Sequence, residues 1–218
     1  MSPVREAALA ATHQRIVDAA AELFARGGYR ATTLAAIATL AGVSVPRVNL
    51  SGSKPALLVE AYEQRAGGSS ELRPITQEPE MAAIMALPTE EALAAYAAWL
   101  PATHARSAGL WFALREAASA DAEARAAFEE TEARNLTSCR DAVAFADSRG
   151  LLTGATPHED RARLWNLLTR ADTYQLLVVD AGWSHERFSA WVVRALRDQV
   201  FELADVDDAG DATLPTPG

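Results

Sequence analysis

The stretch from Ala31 to Leu58, ATTLAAIATLAGVSVPRVNLSGSKPALL, constrains this chain more than any other. Its spacing predicts three short helices separated by two sharp breaks. Thr32 and Thr33 are N-cap residue types, and Leu34, Ile37, Ala38 and Ala41 follow at helical spacing. Gly42 suits the position just past a helix end, where the backbone turns left-handed. Ser44 can cap a second helix beginning at Val45, with Pro46 in its first turn, where a missing N–H costs no helical hydrogen bond. Gly52 ends that helix, and Ser53 can cap a third running through Leu57, Leu58, Ala61 and Tyr62. A helix, a tight turn with glycine and a short second helix make a helix-turn-helix, whose second helix enters the DNA major groove.

The net charge of −9 looks unsuited to DNA until it is divided along the chain. Residues 1–66 hold seven basic and five acidic side chains, a net of +2, so the remainder carries −11. An acidic body repels DNA while the mildly basic head faces it. A surplus of +2 per subunit is small, so weak non-specific binding is expected, with dimerisation doubling the contacts. Half the residues are hydrophobic, many of them alanine, which favours helices. No apolar run reaches the ~18 residues of a membrane span and no signal-peptide core opens the chain, so a cytoplasmic protein without membrane contact is expected. The single cysteine, Cys139, suits a reducing compartment and reads as a small buried apolar residue.

In chain order, residues 1–11 carry no cap or turn signal and are expected to be a disordered arm. Residues 12–66 form the helix-turn-helix unit, with a first helix from about Thr12 to Arg26 that ends at Gly27 and Gly28. Glycines and prolines punctuate 67–87, read as a connecting loop with a short helix near 80–85. From 88 to 204 the pattern is helical: a helix capped by Thr89 and kinked or divided at Pro101, one over 107–119, one over 121–148, one running to Gly182, and one capped by Ser184. The acidic, Pro/Gly-rich tail 205–218 is expected to be disordered.

Arg15-Ile16, Ala19-Ala20, Leu23-Phe24, Gly28-Tyr29, Thr32-Thr33, Ile37-Ala38, Ala41-Gly42-Val43-Ser44 and Lys54 with Leu57-Leu58 together resemble the N-terminal domain of the TetR family of repressors, over about residues 13–65. Asn49 and Gly52 stand where that family usually carries aromatic residues, and the segment is one residue short. The resemblance implies an all-α protein in which the N-terminal helix-turn-helix domain is followed by a larger helical ligand-binding and dimerisation bundle. It implies a transcriptional regulator, a repressor, that binds a palindromic double-stranded operator as a homodimer and is released by a small, largely apolar effector, with no cofactor. Other classes are a protein of this fold whose head no longer binds DNA, and an all-helical enzyme. Against the enzyme, the four histidines are scattered, and no Gly-rich phosphate loop, metal spacing or nucleophile elbow is visible.

In the head, Thr33, Ser44, Val45, Arg47, Asn49 and Lys54 are the expected DNA-contacting residues. Lys54, the only lysine, sits at the start of a helix, where it opposes the macrodipole unless a phosphate binds there; otherwise it is a solvated charge. Arginine reads guanine and asparagine reads adenine, so Arg47 and Asn49 either read bases or hold phosphates. Thr33 is a phosphate contact or simply a cap. In the body, Tyr96, Trp99, His104, Trp111, Phe112, Arg115, Trp165, Asn166, Thr169 and Thr173 combine aromatic and polar groups as effector pockets do, or else fill an ordinary core. His104 has no second ligand at helical spacing, and no metal site is expected. The last two helices are apolar over wide arcs, which implies burial on more than one side. Leu164, Leu168, Leu177, Phe188, Trp191, Ala195 and Val200 are the expected dimer interface, in the region where TetR-like proteins pair as four helices; the alternative is that they are core.

Overall fold

The computed structural model describes residues 3–67, 76 and 78–203. These residues form α1 (Pro3–Ala31), α2 (Leu34–Ala41), α3 (Val45–Asn49), α4 (Lys54–Gly67), α5 (Pro79–Met85), α6 (Thr89–Ala118), α7 (Ala122–Ser148), α8 (His158–Thr169), α9 (Ala171–Tyr174) and α10 (His185–Leu196). Short π-helical segments, Gln175–Asp180 and Arg197–Phe201, extend α9 and α10. Among the described residues there is no strand, and no helix is long and apolar enough to cross a membrane. The all-α fold, with an N-terminal helix-turn-helix and a larger helical body, is as the sequence reading has it.

The head is built on one apolar stripe. Ile16, Ala20 and Phe24 of α1 pack with Ile37 and Ala38 of α2, Val48 of α3 and Leu57, Leu58 and Ala61 of α4. Thr33 caps α2, its hydroxyl accepting the Ala36 N–H at 3.1 Å, and Gly42 ends it in the left-handed region at φ 66°. The chain is helical from Pro3, so the disordered arm expected over 1–11 is corrected for residues 3–11. Alanine-rich sequence there has high helix propensity and needs no strong cap to continue α1 outward.

The body is organised on α6, which packs against α1, α4, α7, α9 and α10. Pro101 does not divide its helix, and α6 runs through it for 30 residues. Proline removes the hydrogen bond to the carbonyl four residues back. That carbonyl, of Ala97, instead accepts the Ser189 hydroxyl of α10 at 2.6 Å. The first helical residue is Thr89, with Pro88 rather than Thr89 at the cap position. The helix expected to run to Gly182 divides at Arg170, whose ψ of 163° is extended. Side chains take up the carbonyls this division frees: His104 binds the Thr169 carbonyl at 2.8 Å, and the Thr173 hydroxyl donates to the Leu167 carbonyl at 2.6 Å. Most of the 67–87 connection and all of the 205–218 tail lie outside the described residues.

Among the contacts that join head to body, three stand out. The Gly109 backbone of α6 lies so close to α1 that a Cβ there would stand 3.0 Å from the Ala25 carbonyl oxygen. The Tyr29 N–H donates to Glu116 of α6 at 2.8 Å. Glu63 of α4 pairs with Arg134 of α7, both largely buried. Burial pushes the Glu63 carboxyl up despite that arginine.

Candidate nucleic-acid interface and effector cavity

The five-residue α3 buries one side chain, Val48, fully in the head core. Val45, Pro46, Asn49 and Leu50 are exposed, and Arg47 is half-buried on the flank. Ser44 is exposed at the cap position and makes no side-chain cap bond. Thr33 is exposed on α2, occupied as a cap. Lys54, at the start of α4, is half-buried, with its Nζ 4.0 Å above the centre of the Tyr29 ring. That partial burial lowers its pKa, while the Glu116 and Asp121 carboxylates push the other way. Its neighbour Ser53 accepts the Ala56 N–H at 3.2 Å and donates to Glu123 of α7 at 2.6 Å. Of the expected contact residues, Thr33, Ser44, Val45 and Asn49 are thus exposed, Arg47 is half-buried and Lys54 is turned toward Tyr29. Leu50, which the sequence reading passed over, is 79% exposed.

Between α4, α5, α6, α7 and α8 lies a cavity of about 200 Å³. Tyr96, Trp99, His104 and Trp111 of α6 line it together with Trp165, Asn166 and Thr169 of α8. Three expected pocket residues do not. Phe112 and Arg115 occupy the next stripe of α6, where the guanidinium sits 4.8 Å over the Phe112 ring and pairs with Asp172. Thr173 caps the end of α8. The reading missed Thr103 and Ser107, although with Leu100, His104 and Trp111 they make one helical stripe. It also missed Met81 and Met85 of α5 and Tyr62 and Ala66 of α4, which no local pattern could assign to a wall built by α6.

Burial tunes the polar groups of this wall. The Trp165 indole N–H donates to the Tyr96 hydroxyl at 3.1 Å, and burial pushes that phenol, like Tyr62, up to about 12. The Cys139 thiol is likewise pushed up to about 12, so it stays a neutral thiol. Burial takes His104 down to about 4, although its bond to the Thr169 carbonyl opposes this. A carbonyl only accepts, so Nε2 carries the hydrogen and the imidazole is neutral near pH 7. Of the charges at the wall, Arg170 binds Glu132 at 2.9 Å and Asp172 at 3.0 Å, while Arg149 donates to the Leu87 carbonyl at 3.0 Å. Asp172 also accepts the Trp111 indole N–H at 3.1 Å. Among the described residues no group of three His, Cys, Asp or Glu side chains could hold a metal.

The last helices divide the expected interface. Phe188 and Val200 are fully buried inside the protomer, packed on the body, and cannot face a partner. Leu164, Leu168, Leu177, Trp191 and Ala195 are half-buried. Beside them Leu167, Leu176 and Val179 are 58%, 61% and 56% exposed. An apolar strip therefore lies open along α8 and the segment following α9.

A helix-turn-helix head joined to a larger helical body defines the class of helix-turn-helix regulator folds. Comparison with known proteins agrees with that class. Residues 16–61 match the model of bacterial regulatory proteins of the tetR family. The TetR-family resemblance of the head is thereby confirmed, and the whole chain has the fold of that family's regulators. A TetR-family transcriptional regulator from Rhodococcus sp. superposes with a TM-score of 0.68 at 17% identity, covering 87% of this chain and 98% of that one. A transcriptional regulator from Saccharomonospora viridis, in complex with choline, gives 0.67 at 16% identity, with 88% and 98% covered. The regulator FadR from Bacillus subtilis, in complex with stearoyl-CoA, gives 0.65 at 19% identity, with 84% and 96% covered. No curated protein matches the chain by sequence.

Proposed function

We propose that this protein is a ligand-responsive transcriptional repressor, not an enzyme, that acts in the cytoplasm. It binds a two-fold symmetric operator as a homodimer through Thr33, Ser44, Val45, Arg47, Asn49 and Lys54, and a small, largely apolar effector releases it. The observation that carries this reading is the position of Tyr62 and Ala66: both belong to α4, the last helix of the head, and both line the body cavity. A ligand in that cavity touches the helix whose other end carries Lys54. Two arrangements of α4 that differ in effector affinity then differ in DNA affinity, typically by 1–3 kcal/mol of coupling. The cavity wall is largely apolar and aromatic, Arg170 there is paired with Glu132, and the wall carries hydroxyls and amides of the kind that orient a small ligand. Two regulators of the same fold hold small molecules, which supports a ligand here without naming it.

The dimer is assigned to the apolar strip of Leu164, Leu167, Leu168, Leu176 and Val179, flanked by Trp191 and Ala195. Two recognition helices in such a dimer meet half-sites about one helical turn, ~34–36 Å, apart or a multiple of it. Selection of bound DNA from a random pool tests the reading. An inverted repeat is the expected product, and selected sequences without one would remove the symmetric dimer.

A further inference from the structure

The exposed face of α3 is unusual for a surface that meets DNA. Val45 and Asn49 are four residues apart, as are Pro46 and Leu50, so the four side chains share one face. Val45 is 38% exposed and Leu50 79% exposed, while Val48 behind them is fully buried. Asn49 is the only polar side chain among the four. The one charge on the helix, Arg47, is half-buried rather than exposed. A protein that reads guanine needs an arginine or lysine fork directed at the base edge. This face instead offers one amide and three apolar groups.

We propose that the recognition helix reads A·T base pairs, with Asn49 pairing to adenine and Val45 and Leu50 seated on thymine methyl groups. The inference rests on the DNA-binding reading above. In the major groove adenine presents an acceptor and a donor that match an asparagine amide, and thymine alone presents a methyl group. A large exposed leucine gains from burial only against an apolar partner, and the thymine methyl is the apolar group of the major groove. Charge complementarity brings the face to DNA: the head carries +2 against −11 for the rest of the chain. Sequence choice then falls to shape and methyl contact rather than to charged forks, and Leu50 becomes a specificity-determining residue.

The test uses the full-length protein and the DNA it selects from a random pool. Each thymine of the selected site is replaced in turn by uracil, which keeps the base pair and removes only the methyl. Affinity is then measured by fluorescence anisotropy. At one or two thymines per half-site, uracil should weaken binding about fourfold for each methyl removed. Leu50→Ala and Val45→Ala should each bind thymine and uracil equally at one of those positions. Leu50 is exposed, so its truncation leaves the fold intact, and circular dichroism checks this. If a site is selected but uracil changes nothing, or if discrimination lies at guanines and vanishes in Arg47→Ala, methyl readout is wrong while DNA binding stands. If no DNA is selected, the regulator reading fails and this inference falls with it.

Discussion

The backbone N–H of Tyr29 donates to Glu116 at 2.8 Å, so the end of the first helix is held by the long helix of the body. The same carboxylate lies 3.7 Å from the Arg30 guanidinium. Tyr29 in turn carries Lys54 over its ring. One carboxylate on α6 thus stands behind both the close of α1 and the cation expected to meet the DNA backbone. The arrangement needs Gly28, whose φ of 72° is left-handed and whose missing Cβ would lie 2.7 Å from the Glu116 oxygen.

Gly28→Ala should therefore destabilise the protein. At φ 72° and ψ −178° the backbone lies in a region essentially restricted to glycine, so an alanine there costs ~1–3 kcal/mol, before the displacement of Glu116. For a chain of this size each kcal/mol lowers Tm by ~2–4 °C. Thermal unfolding followed by circular dichroism measures it, and an unchanged Tm would mean the head is not anchored at this point.

Lys54→Ala should weaken binding to all DNA sequences alike and reduce the salt slope by about one unit for each phosphate no longer neutralised. Asn49→Ala should instead relax preference at one position per half-site and leave the salt slope unchanged. Titrations at several salt concentrations separate the two. Identical behaviour of the two variants would remove the division between anchoring and readout.

The open strip should be the dimer interface. Leu167→Glu and Leu176→Glu alter side chains already in water in the protomer, so neither should impair folding. In a dimer each would bury an unpaired charge, and sedimentation should show monomers. Leu168→Glu and Trp191→Glu should act the same way with some cost to stability. Phe188→Glu should instead prevent folding, because that side chain is core. Dimers that survive all four strip substitutions would place the interface elsewhere.

Filling the cavity should uncouple ligand from DNA. Ala142, a half-buried residue of α7, lines it. Ala142→Phe should lower effector affinity and leave effector-free DNA binding nearly unchanged. Trp111→Ala is a poorer probe, since its ring packs on Tyr62 and Phe128 and its loss costs about 3–5 kcal/mol. Quenching of Trp99, Trp111 and Trp165 reports binding. Operator DNA should weaken that binding by the factor with which effector weakens DNA binding, and an effector affinity indifferent to DNA would show that the cavity is not the sensor.

His104 sets a pH dependence. Its pKa falls from 6.5 in the unfolded chain to about 4 in the fold, so the unfolded chain binds more protons between those values. Stability is then fully present above pH 6.5 and is lost as pH falls toward 4, by about 3 kcal/mol at most. His104→Gln keeps a donor for the Thr169 carbonyl and should flatten this part of the profile. A profile that is the same in both proteins would place the acid sensitivity elsewhere.

Local rules reached far into this chain. The caps expected at Thr33, Ser53 and Ser184 are realised as side-chain hydrogen bonds to the backbone, while Ser44 makes no such bond and Pro88 takes the cap position expected of Thr89. The left-handed Gly42 and the core stripes of the head also lie where periodicity puts them, because a cap, a glycine and a stripe each act within a few residues. Composition and charge separated a basic head from an acidic body for the same reason: they are sums over residues and need no geometry. Tertiary contacts decided the rest. Pro101 could kink or divide α6; the helix is not divided, and Ser189, far away in sequence, satisfies the freed carbonyl of Ala97. The helix expected through Arg170 divides where His104 and Thr173 receive its last carbonyls. Phe188 and Leu167 are both apolar residues of the final helices, yet one is sealed in the core and the other is open, which depends on what packs across from each. The cavity belongs to neither head nor body alone. Tyr62 of α4 lines it beside Glu63, whose pair with Arg134 fastens α4 to α7. Periodicity records which face of a helix is buried; which partner buries it is settled only when the whole chain packs.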